Sequence, residues 1–385
     1  MNQLKIFLSL FFFVSIQTKL YAIQKDKVDE LAHQFLLENK IPGMSIAVIN
    51  NNKTFFFNYG YANEAKKIKT SNETIYTIAS FTKTFTAALS AVASVEGKLN
   101  LDEPFIQYFP ELKNSKGLQT ITSSELLAHV SSLPFKFDPS PKSYSELVKN
   151  LNQFIPNSAP GTSYQYSNVG IGIMGYVAQK IYSKNYEYLL EEKILKPLNM
   201  TSTYLNLPME QEKYLSQGHE KNNQIVPFEK DIGILFAASS LKSTIVDMEK
   251  YLNAQINPSS VSNKNLSKAI SIVHENKFCF ENKVLCEQLA WQAHAISELK
   301  NSSGDSFFID YDNHGNPIFE KKAVMANVDI LSKNKIFIDK TGSGYGASSY
   351  MLYIPENKSG VVILLNKVVG DERIKLGRDI LAAIL

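Results

Sequence analysis

The stretch IPGMSIAVINNNKTFFFNYGYAN, Ile41 to Asn63, decides the architecture. An apolar run from Met44 to Ile49 meets the turn formers Asn50, Asn51 and Asn52, and Thr54 to Tyr59 returns, so the segment reads as a β-hairpin. The opposite end of the chain carries the same pattern. SYMLYIPENKSGVVILLNK, Ser349 to Lys367, reads as strand, turn at Pro355 to Gly360, and strand. KIFIDKT, Lys335 to Thr341, adds a strand before it. A helical lead-in covers Lys27 to Glu38, and Arg373 to Leu385 reads as a closing helix. Strands at both ends without β-α-β alternation predict one antiparallel sheet assembled from both termini.

The interior has a different period. Phe81 to Glu96 reads as a helix stopped at Gly97. SSELLAHVSSL, SYSELVKNLNQFI and VGIGIMGYVAQKIY are further helical candidates, each opened by Ser, Thr or Asn. The expected class is α+β, of the α/β sandwich type. An antiparallel sheet with flanking helices takes roughly residues 23–80 and 300–385, and an inserted, mainly helical lobe takes roughly 81–299. The cleft between them is where a site belongs. No internal repeat or low-complexity linker interrupts the chain.

The bulk numbers narrow the function. The 385 residues are 44% hydrophobic and 20% charged, as in an ordinary globular protein. IFLSLFFFVSI, Ile6 to Ile16, follows one cation at Lys5 and precedes a small residue at Ala22. Residues 1–22 therefore read as a signal peptide, too short in its apolar part to span a bilayer. Its removal deletes Lys5 and Lys19 and takes the formal net charge from +3 to +1. With no basic patch, nucleic acid is not an expected partner. A periplasmic, soluble, monomeric protein is expected, with no membrane contact after cleavage. The six histidines are scattered and no ligand spacing is present, so no metal is expected. Cys279 and Cys286 flank the six residues FENKVL; a disulfide and two free core thiols both remain open.

Three polar elements carry chemistry only in combination. Ser80 and Lys83 are three apart at the start of an alanine-rich helix, where i and i+3 share a face and the free N–H groups favour negative charge. The spacing recurs at Ser239/Lys242, Ser297/Lys300 and Ser332/Lys335, and a capping Ser80 with a solvated Lys83 is the plain alternative. Tyr166 and Asn168 lie in APGTSYQYSNVGIG, between a Pro160-Gly161 turn and an apolar helix, but Tyr-x-Asn also recurs elsewhere. Lys340-Thr341-Gly342 lies in FIDKTGSGYGASSYMLYIP. Gly342, Gly344 and Ala347 loosely match a dinucleotide fingerprint, but a strand follows where that motif needs a helix.

In this order the elements resemble the class C β-lactamases of the penicillin-recognising serine hydrolases. IPGMSIAVI, FTKTFTA, KLNLDEPFIQYFPEL, PGTSYQYSNVGIG, KILKPLNMTSTYLNLP, LKSTIVDM, LAWQ and KTGSGYGASSYMLYIPENKSGVVILLNK read like that family over nearly the whole mature chain. The resemblance implies a cofactor-free opening of β-lactams through a Ser80 acyl-enzyme, with Lys83 or Tyr166 as base and Lys340 beside them. It implies an oxyanion hole from the N–H groups of Ser80 and Ser343, carboxylate binding by Lys340 and Thr341, and amide binding by Asn168. Gly342 belongs to the same substrate-binding strand. No glutamate-bearing loop of the class A type is recognisable. Three positions depart from the pattern: Lys136 where glutamine is usual, Ser239 where a tyrosine flanks the pocket, and His129-Val-Ser-Ser-Leu-Pro134 where related peptidases carry His-Thr-Ser-Gly-Leu-Pro. A D-alanyl-D-alanine peptidase or esterase, acting on peptidoglycan stem peptide, is the same-fold alternative. A sensor that stays acylated is the non-enzymatic one.

Overall fold

The computed structural model describes residues 25–228, 230–280, 285–300, 310–311, 317–318, 321–325, 331 and 336–385. The expected signal peptide lies outside them. Eleven strands form one sheet: β1 (Gly43–Asn50), β2 (Lys53–Asn63), β3 (Ile68–Lys69), β4 (Ser163–Tyr164), β5 (Phe278–Phe280), β6 (Leu285–Glu287), β7 (Gln292–Ala295), β8 (Lys321–Met325), β9 (Ile336–Gly344), β10 (Ala347–Ile354) and β11 (Ser359–Leu365). Their spatial order is β3-β2-β1-β11-β10-β9-β7-β6-β5-β8-β4. The two predicted hairpins meet at its centre, where β1 pairs with β11 antiparallel, Ile46 opposite Ile363.

Side chains on these central strands alternate between two cores, which is why they read as unbroken apolar runs although the sheet is antiparallel. Met44, Ile46 and Val48 face one core with Leu352, Ile363 and the closing helix residues Ile380 and Leu381. Ala47, Ile49, Met351, Val362 and Leu364 face the other, which holds the interior helices. Helix α1 (residues 25–39) and helix α6 (Glu372–Ile384) cover the first face.

Among the interior helices are α2 (Thr82–Val95), α3 (Asn168–Tyr182), α4 (Ile245–Ile256) and α5 (Lys264–Val273). Every residue of α2 from Thr82 to Ala93 is buried, and its alanines let α3 and α5 approach closely. The aromatic rings of Phe81 and Phe85 fix its start: Phe81 meets Trp291 edge-on at 5.6 Å, and Phe85 stacks on Tyr251 at 4.1 Å. The anticipated caps are present. The side chain of Thr122 accepts from the Glu125 N–H and that of Ser167 from the Gly170 N–H, each closing a helix N-terminus.

The helical lobe is shorter than the roughly 81–299 read from sequence. Residues 278–295 supply β5, β6 and β7, and β7 pairs directly with β9. Strands of three or four residues carry too little alternation to show against a helical background. Cys279 and Cys286 oppose each other across β5 and β6 and form a disulfide.

Candidate active site

Ser80 lies in a single 3₁₀ turn, Ala79–Phe81, directly ahead of α2. Ala79 has φ +47°, in the left-handed region, a strain of roughly 1–2 kcal/mol for a side-chain-bearing residue. The surroundings hold it there. The Ile78 N–H donates to Leu241 O (3.0 Å), and Ser349 Oγ donates to Ile78 O (3.0 Å). Thr82 Oγ1 donates to Ala79 O (2.7 Å) and accepts from the Leu241 N–H (3.1 Å). The Ser80 side chain caps neither the turn nor α2.

Lys83, one turn along, is fully buried, and its Nζ donates to Ser80 Oγ (3.0 Å) and to Ala238 O (2.9 Å). Both sides of the plain reading, a capping serine and a solvated lysine, are thereby overturned. The other described Ser-x-x-Lys pairs differ. Lys242 Nζ donates to Leu205 O, and Ser297 Oγ donates to Glu298 Oε1.

Tyr166, just ahead of α3, completes the group. Lys83 Nζ stands 4.8 Å and Lys340 Nζ 5.0 Å from its ring centre. Burial pushes the Lys83 ammonium down to about 8, and the charge of Lys340 adds to that against the opposing pull of Tyr166. Burial alone pushes the Tyr166 phenol up. The charges of Lys340 and Lys83 outweigh it, and with hydrogen bonds from Ser80 and Lys83 they bring the phenol to about 8. Two bases poised within reach of one hydroxyl are what removal of its proton requires.

Strand β9 forms the opposite wall. It pairs with β7 only as far as Asp339, so from Lys340 onward that edge is uncovered by described strands. Gly342 is where β9 meets the Ser80 turn: a Cβ there stands 2.4 Å from Ile78 O and 3.1 Å from Phe81 N. Only glycine permits that approach. Ser343 follows, exposed, and Thr341 is half-buried.

The structure brings together Ser80, Lys83, Tyr166 and Lys340 from three segments, with Thr341, Gly342 and Ser343 following Lys340 on β9. Asn168 opens α3; its Oδ1 is buried and has no hydrogen-bond partner among the described residues. Lys136 is exposed on the loop after Phe135, whose ring stacks on Tyr166 at 6.2 Å, and it does not join the cluster. Ser239 ends a short helix next to Ala238 and lines a cavity of about 490 Å³ with Thr77, Gln217, Phe228, Lys242 and Tyr345.

Sequence reading missed Glu287. Burial pushes its carboxyl up to about 8 against the charge of Lys340, and Gln292 Nε2 donates to it (2.6 Å). It opposes Gln292 across β6 and β7, and Gln292 opposes Asp339 across β7 and β9. Nothing in its local sequence signals that position.

The Lys83–Tyr166 pair sets an expected pH dependence. Either group acts as a base only after losing its proton, so activity is present above the shared pKa and lost as pH falls through it. The kcat/KM of acylation is expected to rise from about pH 6 through about pH 8 and to level off above that, as initial rates at low substrate would show.

Comparison with known proteins agrees with this geometry. The beta-lactamase family model matches residues 28–384. A beta-lactamase of Pseudomonas fluorescens is 30% identical over 92% of this chain and 97% of its own. One of Providencia stuartii is 29% identical over 90% of this chain and 88% of its own. A crystal structure of a class C beta-lactamase superposes with a TM-score of 0.84 at 28% identity, covering 94% of this chain and 98% of that one. A class C beta-lactamase in complex with cefoxitin gives 0.84 at 28%, covering 94% and 99%. A match that spans both hairpins and all the segments around Ser80 leaves one assignment: the chain belongs to the beta-lactamase family and has the class C fold.

Proposed function

We propose that this protein hydrolyses β-lactams through an ester on Ser80. The observation that supports it most is the buried Lys83 ammonium donating to Ser80 Oγ at 3.0 Å, with Tyr166 against both. Ser80 Oγ attacks the lactam carbonyl carbon and passes its proton to the Lys83–Tyr166 pair. The C–N bond then breaks and the ring nitrogen takes that proton. The N–H groups of Ser80 and Ser343 hold the developing oxyanion, an interaction whose loss typically costs about 10²–10³ in rate. Lys340 and Thr341 receive the substrate carboxylate, with lysine acting as a point charge. Asn168, half-buried at the start of α3, is the side chain that bonds the substrate's amide group. Water deprotonated by Tyr166 then cleaves the ester. Lys136 borders the entrance.

Residues 23–385 act as one catalytic domain, with the mainly helical lobe inserted between the sheet-forming segments of its two ends. The described residues contain no helix long and apolar enough to cross a membrane. The leader read in residues 1–22 supports work in the periplasm.

Ring opening of a chromogenic cephalosporin, followed beside D-alanine release from a D-alanyl-D-alanine peptide, tests the activity. Many turnovers of ring opening are expected. D-alanine release without ring opening would overturn the reading in favour of a peptidase, and a single-turnover burst would overturn it in favour of a sensor.

Ser239 sets the spectrum by leaving the cavity beside Ala238 open. Ser239→Tyr is expected to lower kcat/KM about tenfold for cephalosporins with bulky acyl side chains, and less than about twofold for small penicillins. Paired kinetics on one substrate of each kind check this.

A further inference from the structure

Directly beneath Tyr166 lies a buried histidine that the acylation steps do not use. His129 is fully buried, and its ring lies 4.2 Å from the Tyr166 ring at a tilt of 35°. Its carbonyl accepts from the Gln165 N–H (2.7 Å) and its Nδ1 from the Ser167 N–H (3.1 Å). One residue thus grips the backbone on both sides of Tyr166 and covers the face of its ring. An Nδ1 that accepts a backbone N–H carries no proton, which fixes the neutral tautomer with the proton on Nε2. That Nε2 is buried with no partner among the described residues. His129 also has φ +59°, a left-handed backbone uncommon for side-chain-bearing residues, which histidine, asparagine and aspartate adopt more readily than others. A strained backbone and an unpaired polar atom, both kept in the interior, are costs that packing alone does not explain.

We propose that His129 is a positioning residue that holds Tyr166 between Lys83 and Lys340, through the Ser167 N–H and the face of its neutral ring. The proposal rests on Tyr166 belonging to the Ser80 base. Lys83 on α2, Lys340 on β9 and the Tyr164 and Tyr166 rings are the titratable groups that face the imidazole. Burial, then the charges of Lys340 and Lys83, keep the imidazole well below its ordinary value, so its acceptor is available throughout the working range. Without the acceptor the Ser167 N–H is buried and unpaired, and Tyr166 is free to swing from the two ammonium groups that favour its phenolate.

The test compares His129→Gly, which keeps the backbone conformation and removes the side chain, with His129→Asn, whose Oδ1 stands where Nδ1 does. Active sites are first counted by covalent titration with a slowly hydrolysed β-lactam, so that rates are per functional molecule. His129→Gly is expected to lose about 10²-fold in kcat/KM per site, and the rising limb of its pH profile to move from about 8 toward the ordinary phenol value near 10. His129→Asn is expected to recover at least about tenfold of that loss and return the limb toward 8. A limb that stays put in His129→Gly, or an Asn variant no better than Gly, would overturn the proposal. Tyr166→Phe is run alongside: full activity there would instead overturn the base assignment and take the proposal with it.

Discussion

Lys83→Met is expected to lower kcat/KM for β-lactams about 10³-fold while leaving the melting temperature unchanged or raised. General-base assistance contributes about 10²–10⁴ in rate, and Lys83, bonded to Ser80 Oγ, is one half of the pair proposed to supply it. Tyr166 would lose one of the two charges that bring it down to about 8, so the remaining base would titrate higher and work less at neutral pH. Stability is expected to respond in the opposite sense. A fully buried ammonium pushed down to about 8 is held in its charged form against its solvation preference, and methionine fills similar volume without that cost. Steady-state kinetics and a thermal melt on one preparation decide the matter. Parallel losses of activity and stability would show that Lys83 mainly supports the core.

Gly342→Ala is expected to reduce kcat by about 10² or more and to destabilise by about 1–3 kcal/mol. A Cβ at this position meets Ile78 O and Ser349 Oγ at 2.4 Å each. The Ser349 hydroxyl is itself bonded to Ile78 O, and Ile78 is pinned by Leu241, so no side-chain rotation relieves the contact. β9 must move off the Ser80 turn, which separates the N–H groups of Ser80 and Ser343. Because Lys340 and Thr341, the proposed carboxylate contacts, precede Gly342 on β9, KM should change less than kcat. Unchanged kcat in a folded variant would place the oxyanion site elsewhere.

The two terminal hairpins were legible because each joins apolar runs through turns rich in Asn, Gly or Pro, and the two-faced burial of β1 and β11 keeps those runs unbroken. Strands β5 to β8 were not. They are short: β5, β6 and β7 hold three or four residues each, and although they pair with one another locally, β7 also pairs with distant β9 and β8 with β4, where Lys321 lies opposite Tyr164. Local periodicity carries no trace of such register. The site divides along the same line. Ser80, Lys83, Tyr166 and Lys340 sit in motifs whose order identifies them, and the structure places them together. Glu287 reaches Lys340 only through the registers of three strands, and the left-handed Ala79 shows nothing at the level of residue type. His129 stood inside a motif with a departure next to it, yet its grip on both sides of Tyr166 required the folded loop.

Rapid mixing with a cephalosporin, acid quenching during turnover and intact-mass analysis test the central claim most directly. The account predicts a transient adduct of one acyl group, mapped to Ser80 by peptide digestion and gone when substrate is exhausted, with adduct and turnover both lost in Ser80→Ala. Turnover that survives in Ser80→Ala, or an adduct on any other residue, would contradict it.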